Sequence, residues 1–348
     1  MAIDLRVIEG EYLQDLLDQP RALENTFRSL DTPPASLELV RRLNQGKFQR
    51  IVLTGMGSSF HALHPLNLQL IAHGFTAIMV ETSELVHYQS RLFDPKTLIV
   101  AVSQSGQSAE MLRLIEVNKR SAVIAVSNTP ASPLAKHATA ALFTHAGREF
   151  SVSCKTYVTA LMALKWLGDV LCQRDAKLTR RELKHATGAV AAYLADWKEH
   201  VHRLANNFNG IRHLFLVGRG ASLAAVGTGA LTVKESDHFP AEGMSSAAFR
   251  HGPMEMLSEE TFVVVFSGDK RTRNLNQRLC ADIQATDGRA ELVGDSARLA
   301  EFRLADHGSS IRPILEILPI QMITLALGAR VGREPGKFEL ASKVTTLE

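Results

Sequence analysis

The sequence is poor in the residues that several protein classes require. Its three cysteines, Cys154, Cys172 and Cys280, are too few and too scattered for a disulfide framework or a zinc site. Aromatic residues make up only 6% of the chain and no stretch clusters Lys and Arg, which argues against a nucleic-acid-binding surface. We therefore expect a protein of a reducing compartment, with no metal and no nucleic-acid partner.

Long apolar runs are also scarce. The first ten residues, MAIDLRVIEG, are charged and lack the apolar core of a signal peptide. The most apolar late segment, 318–331, contains Gln321 and Arg330 and is shorter than the ~18 apolar residues expected of a spanning helix. Hydrophobic residues make up 45% of the chain and the formal net charge is only +3, which is ordinary globular composition. These features predict a soluble cytoplasmic protein with no membrane partner.

The sequence does contain an alternation of apolar strands and helices. Residues 1–47 are predicted to form a helical arm that Asp31-Thr32-Pro33-Pro34 breaks in two. After the arm, runs such as 97–102 are apolar throughout and are followed by helical stretches. This pattern is typical of parallel sheets covered by helices on both faces, and 348 residues suffice for about two domains.

The strand-and-turn pattern occurs twice. The segment Leu53-Thr-Gly55-Met-Gly57-Ser-Ser59 matches Leu216-Val-Gly218-Arg-Gly220-Ala-Ser222 at an offset of 163 residues, the difference between 218 and 55. A further serine-bearing strand end follows in each half, at Ser103 and Ser267. Internal similarity of this kind predicts an α/β fold of two tandem lobes. The predicted divisions are an N-terminal arm (1–47), a first lobe (48–195), a second lobe (205–330) and a C-terminal tail (331–348).

Each glycine turn follows a strand and precedes a helix, so that backbone N–H groups and the helix dipole face an anion. A dinucleotide-binding loop is one interpretation, and Glu81 ends the second strand, where a ribose-binding acid would lie. Both turns lack the third glycine of that motif. We therefore predict no nucleotide cofactor, and no other cofactor.

The polar loop Ser103-Gln104-Ser105-Gly106-Gln107-Ser108 is the most informative segment. Its three hydroxyls and two amides lie between a buried strand and a helix start. A helix cap needs one hydroxyl, so three indicate a site for a phosphate monoester. The loop lacks the Walker lysine, so nucleotide hydrolysis is not indicated. The corresponding segment Ser267-Gly268-Asp269-Lys270 lacks this serine density. One phosphate site per chain is predicted, in the first lobe.

The glycine turns and the Ser-Gln-Ser-Gly loop together resemble the sugar isomerase (SIS) domain pair. The resemblance is to the isomerase half of glucosamine-6-phosphate synthase, and it extends over most of the chain, from about residue 40 onwards. Its most specific parts are the segments 234–242 (KESDHFPAE), 249–253 (FRHGP) and 340–348 (LASKVTTLE).

The resemblance implies a role for each matching residue. Glu235 matches the base that moves a proton between sugar carbons 1 and 2, and Lys343 matches a lysine that forms a Schiff base with the open-chain ketose. His251 matches the acid–base group for ring opening, which in this family comes from a second subunit, so a homodimer is expected. The implied substrate-binding residues are Met56, Gly57, Ser58, Ser59, Ser103, Gln104, Ser105, Ser108, Val152 and Ser153.

Elementary chemistry agrees with these roles. Histidine titrates near neutrality, a carboxylate can carry a proton between adjacent carbons, and a lysine imine acidifies the neighbouring C–H bond. Without the resemblance, Glu235 would be interpreted as a helix-face carboxylate, His251 as a turn residue and Lys343 as a solvated charge.

The sequence also departs from the synthase. Thr232 stands where the synthase has a lysine, one helical turn before the glutamate. The synthase begins with a glutaminase domain that has an N-terminal cysteine, whereas this sequence begins Met1-Ala2, and we expect no glutamine hydrolysis within it. His61 and His64 lack a third metal ligand at a suitable spacing, and Cys154 is interpreted as lining of the sugar loop.

The predicted function is therefore a phosphosugar aldose–ketose isomerase/deaminase, which converts an amino sugar phosphate such as glucosamine-6-phosphate to a ketose phosphate and ammonia. Lys343 favours deamination because plain isomerisation needs no imine. The alternatives left open are a plain phosphosugar isomerase, a deglycase of a sugar-phosphate–amine conjugate and an ammonia-dependent or partner-fed fructose-6-phosphate aminotransferase. A phosphosugar-sensing regulatory module is the alternative that is not an enzyme.

Overall fold

The computed structural model describes residues 3–305, 308, 310–340 and 342–345. Nine β-strands lie within these residues. They are β1 (Arg50–Gly55), β2 (Ala77–Glu81), β3 (Thr97–Val102), β4 (Ala122–Ser127), β5 (Ala140–Phe143), β6 (His213–Gly218), β7 (Ala241–Ser245), β8 (Thr261–Phe266) and β9 (Arg289–Val293).

Sixteen α-helices alternate with these strands or flank them in the described part of the chain. In the first half they are α1 (Glu11–Leu17), α2 (Gln19–Ser29), α3 (Pro34–Asn44), α4 (Gly57–His61), α5 (His64–Ala72), α6 (Thr82–Tyr88), α7 (Ala109–Val117), α8 (Pro133–His137) and α9 (Lys155–Leu171). In the second half they are α10 (Ala176–Ala195), α11 (Trp197–Asn207), α12 (Leu223–Asp237), α13 (Ser246–Arg250), α14 (Arg273–Gln284), α15 (Arg312–Glu316) and α16 (Leu318–Val331).

The chain divides into two compact units, and neither is a single continuous segment. The five-stranded unit comprises Arg21–Glu149, Lys155–Lys184 and the described part of Leu340–Glu348. The four-stranded unit comprises the described parts of Met1–Pro20, Phe150–Cys154 and His185–Glu339. The domain boundaries predicted from the sequence stay a prediction.

The five-stranded unit has a parallel sheet in the order β2-β1-β3-β4-β5. Every residue of β3 is buried, because helices cover both faces of the sheet, whereas the edge strand β2 is mostly half-exposed or exposed. After β1 the chain forms β2 on one side of that strand, and it then crosses over to form β3 on the other side. A sheet of this order opens a crevice between the carboxyl ends of β1 and β3, where ligands of such folds bind.

The four-stranded unit repeats the same plan. Its strands are parallel in the order β7-β6-β8-β9, so the corresponding crevice lies between the carboxyl ends of β6 and β8. Phe215, Val263 and Val265 belong to a buried cluster on one face of this sheet. The prediction of two α/β lobes with parallel sheets is confirmed.

One helical stretch is more apolar than the sequence interpretation allowed. Only Ile317 separates α15 from α16, and the combined segment Arg312–Val331 has 20 residues. Its most apolar 18-residue window has a mean hydropathy of 1.6, so the segment is long and apolar enough to cross a membrane by length and composition. The segment 318–331 considered from the sequence is therefore only part of a longer apolar stretch. However, 89% of its most apolar part is buried within the protein, and Gln321 bonds with Gln19. Such burial is typical of a core helix.

Candidate functional site

The glycine turn after β1 lies directly beside the end of β3. A Cβ atom added to Gly55 would lie 3.1 Å from the carbonyl oxygen of Val102 and 3.0 Å from the backbone nitrogen of Phe60. Only glycine permits this close approach of backbone to backbone. The turn therefore places the half-buried residues Met56, Gly57, Ser58 and Ser59 next to the loop that follows β3.

The loop that follows β3 is braced by its own serines. Ser103 Oγ accepts a hydrogen bond from the Gly106 N–H at 3.0 Å, and Ser105 Oγ accepts one from the Gln107 N–H at 3.3 Å. Gly106 has a φ of +62°, and a Cβ atom there would lie 2.3 Å from Ser132 Oγ. The loop is thus held in one conformation before any ligand binds.

Helix α7 begins directly after this loop. Ser108 is the N-cap residue, yet its side chain makes no capping hydrogen bond, so a simple helix cap does not account for the hydroxyls. Backbone N–H groups at a helix start favour an anion. The loop with the predicted residues Ser103, Gln104, Ser105 and Ser108 therefore combines hydroxyl groups with a helix start, as a phosphate site requires.

The C-terminal tail docks onto the same unit. The carbonyl oxygen of Thr345 accepts a hydrogen bond of 3.1 Å from the N–H of Ala109, the first residue of α7. The Lys343 ammonium forms an ion pair with Glu149, and Lys343 is about one quarter exposed at its side chain (25%). Lys343 is therefore anchored in the unit that carries the serine loop. The rest of the predicted tail motif, at 341 and 346–348, lies outside the described residues.

Glu149 is a buried carboxylate that the sequence interpretation missed. Its oxygens accept hydrogen bonds from the Thr156 N–H at 2.9 Å and the Thr156 hydroxyl at 2.6 Å, besides the Lys343 ammonium. Burial by itself raises the pKa of Glu149, but the Lys343 charge and these hydrogen bonds outweigh burial and hold that pKa below its ordinary value of 4.5. Glu149 follows β5 at the carboxyl edge of the sheet. A carboxylate soon after a parallel strand was the sequence signal that could have identified it.

Replacing Glu149 by glutamine should loosen the tail. We expect Glu149→Gln to lower the free energy of unfolding by about 2 kcal/mol at pH 7, since the variant leaves a partly buried ammonium without its counter-charge. Because the pKa of Glu149 is lowered, its stabilising effect is complete above about pH 4.5 and is lost as the pH falls through the folded-state value. Urea unfolding from pH 7 down to pH 3 measures both effects.

The control for this substitution is Glu38→Gln. Glu38 pairs with Arg41 on α3, and both side chains are about half exposed or more (49% and 66%). Such a surface pair contributes ~0.5 kcal/mol. If Glu149→Gln were as stable as Glu38→Gln at every pH, the buried ion pair would not hold the tail.

The other predicted residues lie in the four-stranded unit. Glu235 is half-buried near the end of α12, and His251 is exposed directly after α13. Val152 is buried and Ser153 is half-buried in the short segment Phe150–Cys154. Their assignment to catalysis and sugar binding stays a prediction.

Helix α12 ends with a second titratable group that the sequence interpretation missed. Burial raises the pKa of Asp237 to about 8, although the hydrogen bond from Ser236 and the charge of Arg333 lower it. The carbonyl of Ser236 also accepts the Gly336 N–H at 3.0 Å. The end of the helix that carries Glu235 is thus tied to the segment that leads towards the tail.

The turn that follows β6 contacts a buried carboxylate on α15. Ser222, which corresponds to Ser59 in the repeat, donates a hydrogen bond of 2.8 Å to the fully buried Glu316. Arg312 bonds with the Gly268 carbonyl, next to Ser267. The Glu316 carboxylate is therefore bonded to the serine that corresponds to Ser59, and one phosphate site per chain stays a prediction.

Glu316→Gln should stabilise the protein at alkaline pH. Burial raises the pKa of Glu316 from 4.5 to about 7, so the wild type loses stability as the pH rises between these values. Glutamine keeps the bond with Ser222 and has no charge to bury. We expect the variant to be about 2 kcal/mol more stable than the wild type at pH 8 and equal to it at pH 4.5, as measured by thermal unfolding. A difference that did not change with pH would contradict this interpretation.

The two neighbouring histidines of the five-stranded unit lie on the consecutive helices α4 and α5. The rings of His61 and His64 are stacked with centroids 6.4 Å apart, and burial lowers the pKa of His64. Over the ranges that the structure describes, no group of three or more His, Cys, Asp or Glu side chains is placed to hold a metal ion.

The chain is similar over nearly its whole length to curated proteins named glutamine–fructose-6-phosphate aminotransferase (isomerizing). It is 30% identical to the protein of Thermococcus kodakarensis over 358 residues and 27% identical to that of Pyrococcus horikoshii over 355 residues. These alignments cover 97% of this chain but only 58% and 57% of the relatives. The chain thus spans somewhat more than half the length of these relatives.

Solved structures share the fold. The C-terminal domain of glucosamine-fructose-6-phosphate aminotransferase from Francisella tularensis has a TM-score of 0.82 at 21% identity, covering 93% of this chain and 97% of that one. Glucosamine-6-phosphate deaminase from Thermotoga maritima has a TM-score of 0.78 at 18% identity, with 97% and 100% covered. Tagatose-6-phosphate ketose/aldose isomerase from Escherichia coli has a TM-score of 0.79 at 19% identity, with 98% and 99% covered.

The sequence model of the SIS domain matches residues 46–168 and 208–288. These two matches fall on the two parallel sheets and together include more than half of the 348 residues. The chain belongs to the SIS domain family.

Proposed function

We propose that this chain binds a hexose 6-phosphate and interconverts its aldose and ketose forms with loss or gain of an amino group. The preferred reaction is deamination of glucosamine-6-phosphate to fructose-6-phosphate and ammonia. The observation that carries the proposal is Lys343, an amine held on the buried Glu149 in the same unit as the serine loop. A plain isomerase has no need of such an amine.

The serine loop supports a phosphate ester as the anchoring group. Its hydroxyls and the start of α7 offer neutral donors and a partial positive charge, which hold a phosphate without cleaving it. The relatives and solved structures compared above carry names with fructose-6-phosphate, glucosamine-6-phosphate or tagatose-6-phosphate. A six-carbon sugar phosphate is therefore the proposed substrate class.

The proposed chemistry conserves every atom. His251 opens the sugar ring, and Glu235 takes the proton from carbon 2 and returns it to carbon 1, which converts the amino aldose into a ketimine. The Lys343 amine then adds to carbon 2 and ammonia leaves. Water hydrolyses the resulting lysine imine, which releases fructose-6-phosphate and restores Lys343. Amination of fructose-6-phosphate by ammonia is the same sequence reversed.

The proposal includes a homodimer in which His251 acts in the site of the partner chain. The exposed position of this imidazole after α13 supports its contribution to another subunit. The cytoplasmic location predicted from the sequence belongs to the same proposal. A molar mass near twice 38.2 kDa in light scattering is expected for the active protein.

Ammonia release tests the function directly. Incubation with glucosamine-6-phosphate should release ammonia and fructose-6-phosphate in equal amounts, and glucosamine without its phosphate should release neither. Amination of fructose-6-phosphate by ammonium salts should occur at the same site. If no hexosamine 6-phosphate released ammonia and ammonium produced no amino sugar, the deaminase proposal would be wrong.

A further inference from the structure

A cavity of about 830 Å³ lies at the carboxyl edge of the sheet in the five-stranded unit. It is bounded by α2 and by the segments that follow β3, β4 and β5, including Arg28, Gln104, Asn128, His145 and Arg148. This volume is near the upper end of the roughly 300–1,000 Å³ that small-molecule sites occupy. The cavity therefore has room for more than one polar group of a ligand.

The wall of the cavity is built by the side chain of Asn128. Its Oδ1 accepts hydrogen bonds from the Ala146 N–H at 2.8 Å and the Thr144 hydroxyl at 3.0 Å, and its Nδ2 donates to the Gly147 carbonyl at 2.8 Å. Thr26 on α2 donates a further bond to the Thr144 carbonyl. These bonds fix the turn after β5 and tie α2 to it.

The turn holds His145 in an unusual backbone conformation. This residue has a φ of +43°, in the left-handed region that non-glycine residues rarely adopt, at a cost of ~1–3 kcal/mol. Its side chain is exposed and lines the cavity. The bonds made by Asn128 maintain a strained residue at this place, which is a feature of ligand sites.

The charges around the cavity favour an anionic group. Arg28 and Arg148 lie in its wall together with His145, while the Glu149 carboxylate is engaged by Lys343 and Thr156. Arg28 bonds with Glu24 through Nε at 2.7 Å, and a guanidinium has further N–H donors suited to a carboxylate. The guanidinium is largely exposed, with 74% of the side chain accessible, so an incoming ligand can reach it.

The cavity borders two residues that connect it with the proposed site. Gln104 of the serine loop lines the cavity, and so does Glu149, whose fully buried carboxylate binds the Lys343 ammonium. A sugar phosphate anchored at the serine loop, with its amino group at Lys343, would direct any substituent on that nitrogen towards this space.

We propose that this cavity binds a carboxylate-bearing substituent on the nitrogen of a 2-amino-sugar 6-phosphate. The proposal rests on the proposed function for the phosphate loop and for Lys343. The reaction has the same balance as deamination: Lys343 adds to carbon 2, the carbon–nitrogen bond breaks, and a carboxylate-bearing amine leaves in place of ammonia. Water then releases the ketose phosphate from Lys343.

The test uses two matched conjugates, N-(3-carboxypropyl)-glucosamine 6-phosphate and N-butyl-glucosamine 6-phosphate. They have substituents of similar length and differ in the carboxylate. We expect calorimetry to show about tenfold tighter binding of the carboxypropyl compound to the wild type, since a charge-assisted pair is worth about one decade of affinity. Release of fructose-6-phosphate should show the same preference in kcat/KM.

Arg28→Gln should remove the preference and leave the binding of unsubstituted glucosamine-6-phosphate unchanged. Arg41→Gln is the matched control, because Arg41 also pairs with a glutamate on its own helix and is similarly exposed (66%). If both conjugates bound equally to the wild type, or if Arg28→Gln kept the preference, the proposal would be overturned. Turnover of unsubstituted glucosamine-6-phosphate in that case would leave the proposed function standing, whereas a carboxylate preference without any turnover would support the cavity and contradict the deaminase.

Discussion

Lys343→Arg is expected to lower the rate of ammonia release from glucosamine-6-phosphate by about a thousandfold or more. Arginine retains the positive charge and can pair with Glu149, but a guanidinium does not form an imine with a ketose. Removal of a covalent nucleophile costs far more rate than the loss of a binding contact. Steady-state measurement of ammonia, with KM determined separately, distinguishes the two effects.

The matched control for Lys343→Arg is Lys337→Arg. Lys337 lies on the approach to the tail and has no proposed role in the reaction. We expect this control to keep both kcat and KM, and Lys343→Arg to keep KM within about threefold. If Lys343→Arg retained most of the wild-type kcat, the imine would not be part of the reaction, and plain isomerisation would be the better description.

Glu235→Gln is expected to reduce kcat by about a thousandfold with little effect on sugar phosphate binding. A glutamine has nearly the same shape as glutamate but does not carry a proton between carbons, and such transfer is typically worth 10²–10⁴ in rate. The proton shift can be followed directly as exchange of solvent deuterium into the sugar, monitored by NMR. Both exchange and ammonia release should fall together.

Glu242→Gln provides the comparison for Glu235→Gln. Glu242 is an exposed glutamate on β7, and its replacement should change neither exchange nor turnover. The sensing module would be indicated, instead of an enzyme, if the wild type and Glu235→Gln both bound fructose-6-phosphate and neither showed turnover or exchange. If Glu242→Gln lost activity to the same degree, the effect of Glu235→Gln would not be evidence for proton transfer by Glu235.

The fold was largely predictable because its signals are local. The apolar run Thr97–Val102 becomes the fully buried β3, and the helix expected near Ala109 starts at that residue. Repeated glycine turns at Gly55 and Gly218 end β1 and β6, the first strand of each sheet along the chain. Edge strands followed the pattern less well, because β2 is covered on fewer sides than β3 and tolerates exposure at Ile78.

The candidate site was only partly predictable. The serine loop is continuous in the sequence, so its chemistry was visible before the structure. The pairing of Glu149 with Lys343 joins positions 194 residues apart, and no periodicity links such positions. In the same way, the hydrogen bond from Ser222 to Glu316 joins positions 94 residues apart. Long-range pairs of this kind require coordinates.

Trapping of the imine tests the central claim most directly. The protein is incubated with fructose-6-phosphate, reduced with borohydride and digested, and the peptide that contains residue 343 is analysed by mass spectrometry. A stable adduct of one hexose phosphate on Lys343, absent without sugar and absent when fructose replaces fructose-6-phosphate, is the expected result. Full turnover of glucosamine-6-phosphate together with an unmodified Lys343 after reduction would contradict an imine at this lysine.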